Sequence, residues 1–413
     1  MRNNLHQTLV AITAGVALLG GCLGGSTSGN GSGGGTQTGG GVISPTDPGS
    51  DPGTNPGTNP APIDTNALNL AARVVDYGQA ARTASIKLVG DLPTAADLAG
   101  VTDAASYATY VDKLIADTRF AGQMLSFFQD MLKSGGPATG TVGTAQFRPT
   151  KDTAPTFAAE LVVKDLDLRG MFTATAGTCP TLAAGTFTDA DCAVANGQTT
   201  VGVLTDPGIQ STNFSNMAMR RVRWLQETFL CTKFPAEFSA TGGVPKGNGT
   251  YVSPWPFESI TGGATAKIDF QDTSAVICAN CHSTINHIAP MFAQFDVAGV
   301  FQTAIQVKVP VSGNPTATRD DWLPAAENYA YRYQQGVANL TDLGAALAAD
   351  PATAQCVVNR VWNWAMDKGE IVTDAAVVPA STTATVLTAY TDGGYKLKAA
   401  IKATFTHDDF VKF

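Results

Sequence analysis

The segment Cys278-Ala279-Asn280-Cys281-His282 has the residue types and spacing that point most directly to chemistry. Two thiols in a C-x-x-C-H segment can bind the vinyl groups of a haem covalently, and the adjacent histidine can ligate the iron. With 7 Cys and 4 His in 413 residues, chance predicts about 0.001 such motifs in the chain. The alternatives are a redox disulfide and half of a zinc site, although no second Cys-x-x-Cys is present. We therefore expect one covalent haem c, held by Cys278 and Cys281.

The N-terminus supports export, which must precede covalent haem attachment. Arg2 precedes an apolar stretch, Leu9–Leu19, that has the length of a secretory signal and is too short to span a bilayer. Leu19-Gly20-Gly21-Cys22 resembles the bacterial lipobox, whose cysteine is diacylated and becomes the first mature residue. We expect residues 1–22 to be a lipoprotein signal peptide and Cys22 to be lipidated; a plain signal peptide is the alternative. Two acyl chains suffice for stable anchoring.

Residues 23–65 have the composition of a tether. They combine Gly-Gly-Gly runs with the repeat Pro56-Gly57-Thr58-Asn59-Pro60 and carry almost no charged or apolar side chains. Such a segment cannot bury enough surface to offset the entropy of ordering, so disorder is predicted. No Asp follows Cys22, which favours the outer membrane, facing the periplasm or the cell surface.

The composition of the whole chain describes a globular, weakly charged protein. Hydrophobic residues make up 44% and charged residues 15%, with a net charge of -8. An acidic protein is a poor partner for nucleic acid or for an anionic membrane surface, and it would suit a positively charged redox partner protein.

The remaining cysteines suit an oxidising compartment. With Cys22 assigned to lipid and two cysteines to haem, four are left. Cys179 and Cys192 lie close together in a loop, and Cys231 and Cys356 then have only each other. Both pairs are predicted to be disulfides.

Apolar residues spaced three and four apart predict a mainly α fold, a multi-helical body with long loops that enclose the haem segment. Four regions follow from the pattern: an N-terminal helical region (66–175), a disulfide loop (176–200), a haem-motif region (201–335) and a C-terminal helical region (336–413).

In the N-terminal half, Thr94 is a predicted helix N-cap. Phe120–Leu132 and Phe157–Arg169 are predicted helices. A strongly amphipathic helix is predicted over Met217–Leu230, with Asn216 as its cap.

In the C-terminal half, Ile305–Val311 alternates in the manner of a strand. Helices are predicted over Leu323–Ala338, Leu340–Ala348, Ala352–Met366 and Tyr395–Thr404.

Several segments of the chain follow one another in the order expected of one family. Arg82–Asp97 contains Arg-x-x-Ser-x-x-Leu-x-Gly-x-x-Pro-Thr. It is followed by Gly202-Val203-Leu204-Thr205, Arg220–Cys231, the haem motif, Phe295-Asp296-x-x-Gly299, Gln355–Trp362 and a closing helix with Phe410. Together these segments resemble the planctomycete-type cytochrome c family, which consists of exported, largely uncharacterised C-x-x-C-H proteins. The resemblance spans most of residues 80–413 and implies a c-type haem.

The chain also departs from the family pattern. Asn286-His287 stands where the family usually has Asp-Pro, and Ala293-Gln294 replaces a common Glu. Asp367-Lys368-Gly369 replaces a Gly-Arg after the C-terminal helix. The resemblance therefore implies a divergent c-type cytochrome rather than a particular reaction.

His282 is the predicted proximal iron ligand and should open a helix through Ile285. The distal ligand is predicted to be a methionine, Met291 or Met366, which would favour the ferrous state. An open distal position is an alternative. Met217 and Met219 belong to the same set of candidates.

The remaining residues near the motif have less specific expected roles. His287 is expected to be partly exposed or to contact a haem propionate, and His407 to be exposed. Asp296 is expected to cap a turn. The aromatic residues Trp255, Phe257, Phe292 and Phe295 could wall the porphyrin or pack in an ordinary core.

Two classes of function follow. The first is a membrane-anchored monohaem electron carrier in the periplasm or at the outer membrane. The second is a haem-dependent oxidoreductase or peroxidase-like enzyme; a surface binding or scaffold protein with a structural haem is a third possibility. No catalytic residue is assigned, because the sequence offers no Ser/His/Asp set beyond His287 and His407, no paired carboxylate motif and no phosphate loop. This scarcity favours the carrier.

Overall fold

Helices dominate the described chain, so the predicted mainly α fold class is confirmed. The computed structural model describes residues 72–134, 141–142, 145–146, 152–233, 244–246, 249–251, 284–307, 322–323, 327–332, 335–369 and 377–413. All of them belong to one compact unit, Asp64–Phe413. The lipobox cysteine, the tether and the haem motif lie outside the described residues.

The N-terminal region begins with four helices that local sequence signals delimit well. They are α1 (Tyr77–Val89), α2 (Ala95–Gly100), α3 (Ala104–Ala116) and α4 (Phe120–Leu132). Thr94 caps α2 as predicted, in a capping box in which its side chain and that of Asp97 each accept from the other residue's backbone N–H. The bounds of α4 are those predicted, because its apolar spacing is continuous and Lys133 ends it in the left-handed conformation.

Four helices follow in the middle of the chain: α5 (Thr153–Val163), α6 (Gly170–Thr173), α7 (Pro207–Thr212) and α8 (Met219–Phe229). The predicted helix over Phe157–Arg169 is wrong at its C-terminal end. Asp165 has a φ of 56°, and the Leu166 N–H turns back to the Leu161 carbonyl at 2.8 Å. The left-handed residue and this hydrogen bond end α5 in the manner of a Schellman motif.

The predicted N-cap of α8 is also wrong. The helix begins at Met219, after Met217 and Ala218 have adopted left-handed backbone angles. The Ser215 Oγ accepts a hydrogen bond from the Arg220 N–H at 2.9 Å and so satisfies one of the first donors of the helix. Asn216, the residue expected to cap, lies in the preceding 3₁₀ turn.

The C-terminal helices are α9 (Leu340–Ala349), α10 (Pro351–Ala365), α11 (Ala384–Asp392), α12 (Leu397–Phe405) and α13 (Asp408–Val411). The helix predicted over Leu323–Ala338 is wrong: the described part of that range contains a β-hairpin, Ala330–Arg332 with Gln335–Gly336. Tyr329, Tyr331 and Tyr333 alternate in sequence, a period-2 aromatic pattern that favours a strand over a helix.

Strands are short throughout the described residues. The other antiparallel hairpins pair 141–142 with 145–146, Thr181–Ala183 with Thr186–Thr188 and Val244–Lys246 with Gly249–Tyr251. The strand predicted from Ile305 is not formed at 305–307, and residues 308–311 lie outside the described part.

The core lies between helices that pack in pairs, several of them consecutive in the chain. Helix α4 packs on α5, α1 packs on α3, and α12 packs on both α10 and α11. The α3–α12 contact includes the buried Tyr107, whose hydroxyl donates to the Phe405 carbonyl at 2.9 Å. Within the described ranges, no helix combines the length and apolar character needed to cross a bilayer.

The two disulfides join the cysteines that the sequence pairs. Cys179–Cys192 closes the local loop with a Cα–Cα distance of 4.9 Å. Cys231–Cys356 ties the end of α8 to α10 across 125 residues, with a Cα–Cα distance of 5.4 Å. Asp206 lies near the first pair, but both sulfurs are used in the disulfide and offer no thiolate for a metal.

Candidate functional site

The described chain resumes two residues after the haem motif. Cys278, Cys281 and His282 themselves lie outside the described residues. Residues 284–288 are helical and lead into a 3₁₀ turn at Ala289–Phe292. The segment then reverses through an isolated bridge between Phe295 and Phe301. Among the described residues that follow the motif, this segment is the closest to it in sequence.

This segment is buried along most of its length. Five of its apolar side chains are at most 5% exposed: Ile285, Ile288, Met291, Phe292 and Phe295. All of these except Phe295 belong to the main hydrophobic core. The Phe295 and Phe301 rings pack edge to face, with centroids 5.4 Å apart. Burial of this kind fixes the segment against the helical body.

Arg221 binds the backbone of this segment. This α8 residue is fully buried, and its guanidinium donates to carbonyl oxygens on two sides. Nη1 donates to Phe292 O at 2.8 Å and to Phe295 O at 3.0 Å. Nη2 donates to Asp296 O at 3.2 Å and to Gln210 O at 2.9 Å, and Nε also donates to Gln210 O.

The electrostatics of Arg221 follow from these contacts. Burial lowers the pKa of its guanidinium to about 9, and the charge of Asp296 acts in the opposite direction. The group therefore remains charged at neutral pH, where carbonyl dipoles replace its lost hydration. The Phe214 ring lies 5.3 Å from the guanidinium carbon, a cation–π distance.

Asp296 caps a tight turn, as predicted. Its Oδ1 accepts from the N–H groups of Ala298 and Val300, each at 2.9 Å, and its Oδ2 accepts from Gln302 Nε2 at 2.8 Å. Gly299 has a φ of 73°, and a Cβ there would lie 2.0 Å from Pro207 O. The Phe-Asp-x-x-Gly pattern is thus a turn that only glycine can complete against α7.

His287 lies in the core rather than at the surface, which corrects the expectation of partial exposure. It is 3% exposed, and its Nε2 lies 3.0 Å from Glu327 Oε2. The two residues are 40 positions apart, and no local sequence signal connects them.

His407 is partly exposed and has a structural role. It is the N-cap of α13, where its Nδ1 accepts from the Asp409 N–H at 3.1 Å. Its ring packs edge-on against Trp362, with centroids 4.9 Å apart. Both described histidines therefore have defined contacts within the fold.

The methionine candidates lie on separate segments. Met291 is 5% exposed, within the turn that Arg221 holds, whereas Met366 is half-buried at the C-terminal end of α10. Met217 lies in the 3₁₀ turn before α8, and Met219 is exposed. Of the expected wall residues, Phe292 and Phe295 are buried, and Trp255 and Phe257 lie outside the described residues.

Arg360 links the C-terminal region to α8. Its Nη2 donates to Glu227 O at 2.7 Å and its Nε to Thr228 O at 3.2 Å, both carbonyls of the last turn of α8. The Cys231–Cys356 disulfide lies one helical turn earlier on α10. The roles of Arg221 and Arg360 could not be predicted from the sequence, since their acceptors are backbone carbonyls at distant positions.

Comparison with known proteins gives one family match. Residues 200–305 match the family model described as "PSCyt3: Protein of unknown function (DUF1588)". This part of the chain is similar to a planctomycete cytochrome c-associated domain. The matched range contains Arg221, the C-x-x-C-H motif and the chain that follows it up to residue 305. No curated protein and no solved structure gives a significant match.

Proposed function

We propose that this protein is a membrane-anchored monohaem c-type cytochrome lipoprotein that transfers electrons in the periplasm or at the outer membrane. Cys278 and Cys281 would bind one haem c covalently, and His282 would be the proximal ligand. The observation that carries the proposal is the position of this motif inside residues 200–305, which match the cytochrome c-associated family model. The bound haem iron would supply the one-electron ferric–ferrous couple.

The described residues fit such a group. A haem needs a dry, rigid apolar wall, and the apolar side chains that follow the motif are buried from Ile285 to Phe292 and again at Phe295. Arg221 fixes the backbone of that segment through three of its carbonyl oxygens, at Phe292, Phe295 and Asp296. Residues 292–296 are thereby held in one position, which would limit their rearrangement when the iron changes charge.

Two methionines are the proposed distal ligands, Met291 or Met366. Met291→Ala and Met366→Ala distinguish them, because only the loss of the residue that would ligate the iron should change the spectrum. We expect one variant to change the ferric spectrum from low-spin to high-spin, with a lower reduction potential. The other variant should keep the wild-type spectrum. If both variants keep it, the distal ligand is not a methionine of this pair.

The state of the histidines favours electron transfer over catalysis. His287 is buried against Glu327, and His407 caps a helix and packs on Trp362. Neither is placed as a mobile acid or base for peroxide chemistry.

The anchor is proposed from the sequence of the lipobox. Cys22 would be diacylated, and residues 23–65 would connect it to the compact unit. Cys22→Ser should move the protein from the detergent phase to the aqueous phase and remove the mass of the lipid. Detergent partition unchanged by Cys22→Ser would contradict lipid anchoring while leaving the haem proposal intact.

A redox titration tests the functional class. The matured protein should titrate reversibly with a one-electron slope and show a six-coordinate, low-spin spectrum in both oxidation states. A high-spin ferric iron that binds cyanide rapidly and turns over peroxide would instead support the enzyme alternative and overturn the proposal.

A further inference from the structure

Two adjoining clefts open beside Arg360, on the side of the molecule formed by α4, α8 and α10. One encloses about 250 Å³ and the other about 200 Å³. Lys133 and Arg360 line both clefts, so the two share a wall. Their combined size reaches the range of small-molecule sites, roughly 300–1,000 Å³.

The lining of the clefts is cationic although the chain is acidic. Five cationic side chains contribute to it among the described residues, against two carboxylates, Asp130 and Glu227. The chain as a whole carries a net charge of -8. A local excess of positive charge in a concave site concentrates anions there.

The cationic side chains of the clefts differ in exposure and in the contacts that hold them. Arg360 is 9% exposed, and the carbonyls of Glu227 and Thr228 hold its guanidinium in place. Lys133 and Arg360 have further contacts. Arg220 and Lys368 are exposed, and among the described residues the structure pairs neither with a carboxylate.

Three aromatic rings contribute to the wall, beside Met131, Asn213, Thr228, Asn363 and Gly369. Phe127 and Trp364 line the larger cleft, with ring centroids 5.4 Å apart, and Trp224 lines the smaller one. The Trp224 Nε1 donates to the Leu132 carbonyl at 2.9 Å, which fixes that ring. Rigid aromatic surface next to cationic groups suits a flat ligand that bears an anionic group.

We propose that this double cleft binds an aromatic carboxylate, with Arg220 and Lys368 attracting the anion and the aromatic residues packing on its ring. Inorganic anions fit less well, since they would leave the aromatic walls unused. The site is independent of the haem proposal, because none of its residues belongs to the motif or to the segment held by Arg221.

The test uses the purified full-length protein in detergent, with 2-naphthoate as the probe and uncharged 2-naphthamide as its matched control. Binding is measured by calorimetry at low salt. We expect 2-naphthoate to bind at least about tenfold more tightly than 2-naphthamide and to weaken as salt is raised. Arg220→Gln and Lys368→Gln should each weaken naphthoate binding by about fivefold.

Arg82→Gln is the control variant, because Arg82 is an exposed arginine on α1 that does not line either cleft. It should leave the affinity unchanged, and circular dichroism should show all three variants folded. Absence of naphthoate binding, equal affinity for the amide, or affinities unaffected by Arg220→Gln and Lys368→Gln would each overturn the proposal.

Discussion

The buried charge of Arg221 connects several segments of the chain. Its five hydrogen bonds reach carbonyls of Gln210, Phe292, Phe295 and Asp296, so α7, α8 and the chain after the motif meet at a single side chain. A guanidinium suits this task because its planar fork can donate to several acceptors at once. Lysine would offer fewer donors from a single point.

Arg221→Met tests this role. Truncating the fork leaves several buried carbonyls without a donor, each costing about 1–3 kcal/mol, so we expect the free energy of unfolding to fall by roughly 3–5 kcal/mol. Arg223→Met is the matched control on the same helix. Arg223 forms an exposed pair with Glu227 at 3.0 Å, and its loss should cost less than about 1 kcal/mol. Equal effects in guanidinium unfolding would contradict the assignment.

At the level of the helix, the start of α8 was the least predictable feature. The sequence Ser215-Asn216 offers two capping residues in succession, and both have good N-cap propensity. The left-handed angles at Met217 and Ala218 place Ser215, not Asn216, against the first turn. Tertiary packing decides between such neighbours, and local pattern cannot.

Ser215→Ala should lower the free energy of unfolding by about 1 kcal/mol, since the Arg220 N–H loses its acceptor. Asn216→Ala should change it by less than about 0.5 kcal/mol. Chemical denaturation of both variants measures the difference. A larger effect at Asn216 than at Ser215 would contradict the contribution of the bond between the Arg220 N–H and the Ser215 hydroxyl.

Buried tyrosines give the fold an alkaline limit. Burial raises the pKa of Tyr107 and of Tyr331 well above the usual range, and neighbouring Tyr110 and Asp350 respectively add to the shift. The Tyr331 hydroxyl donates to Asp350 Oδ2 at 2.7 Å. In the unfolded chain both phenols ionise near pH 10, so above about pH 10 the unfolded state binds fewer protons and becomes favoured.

We therefore expect the denaturation midpoint to fall as the pH rises from about 10 towards 12. Tyr107→Phe and Tyr331→Phe should each make that decline shallower, and the double variant should make it shallower still. Tyr395→Phe, at a partly exposed tyrosine, is the control. A pH profile identical in the double variant and the wild type would exclude these two phenols as its cause.

At the scale of the whole molecule, several helices followed from the sequence, whereas the 330–336 hairpin and the long-range contacts did not. The helix α4 has a clear apolar period, and its bounds matched the prediction. The 330–336 hairpin was missed because a helical period was assigned to a stretch of alternating aromatic residues. Arg221 was missed because its acceptors lie up to 75 positions away, where no local pattern can reveal them.

The chemistry proposed for the candidate site comes from the sequence, whereas its setting could not be predicted. C-x-x-C-H spacing predicts haem attachment without any knowledge of the fold. The turn at Asp296 could also be predicted, because Asp before a glycine-containing segment favours a cap. The burial of His287 against Glu327 depends on how distant segments pack, so the sequence indicated exposure instead.

Covalent haem at Cys278 and Cys281 is the central claim, and one spectrum tests it most directly. The protein is expressed with a cytochrome c maturation system, denatured in alkaline pyridine and reduced. We expect the spectrum of a covalently bound haem, at one haem per chain. The variant with both Cys278→Ala and Cys281→Ala should not show this spectrum. Wild-type protein that carries no covalent haem under these conditions would contradict the claim, and the two cysteines would then form a disulfide.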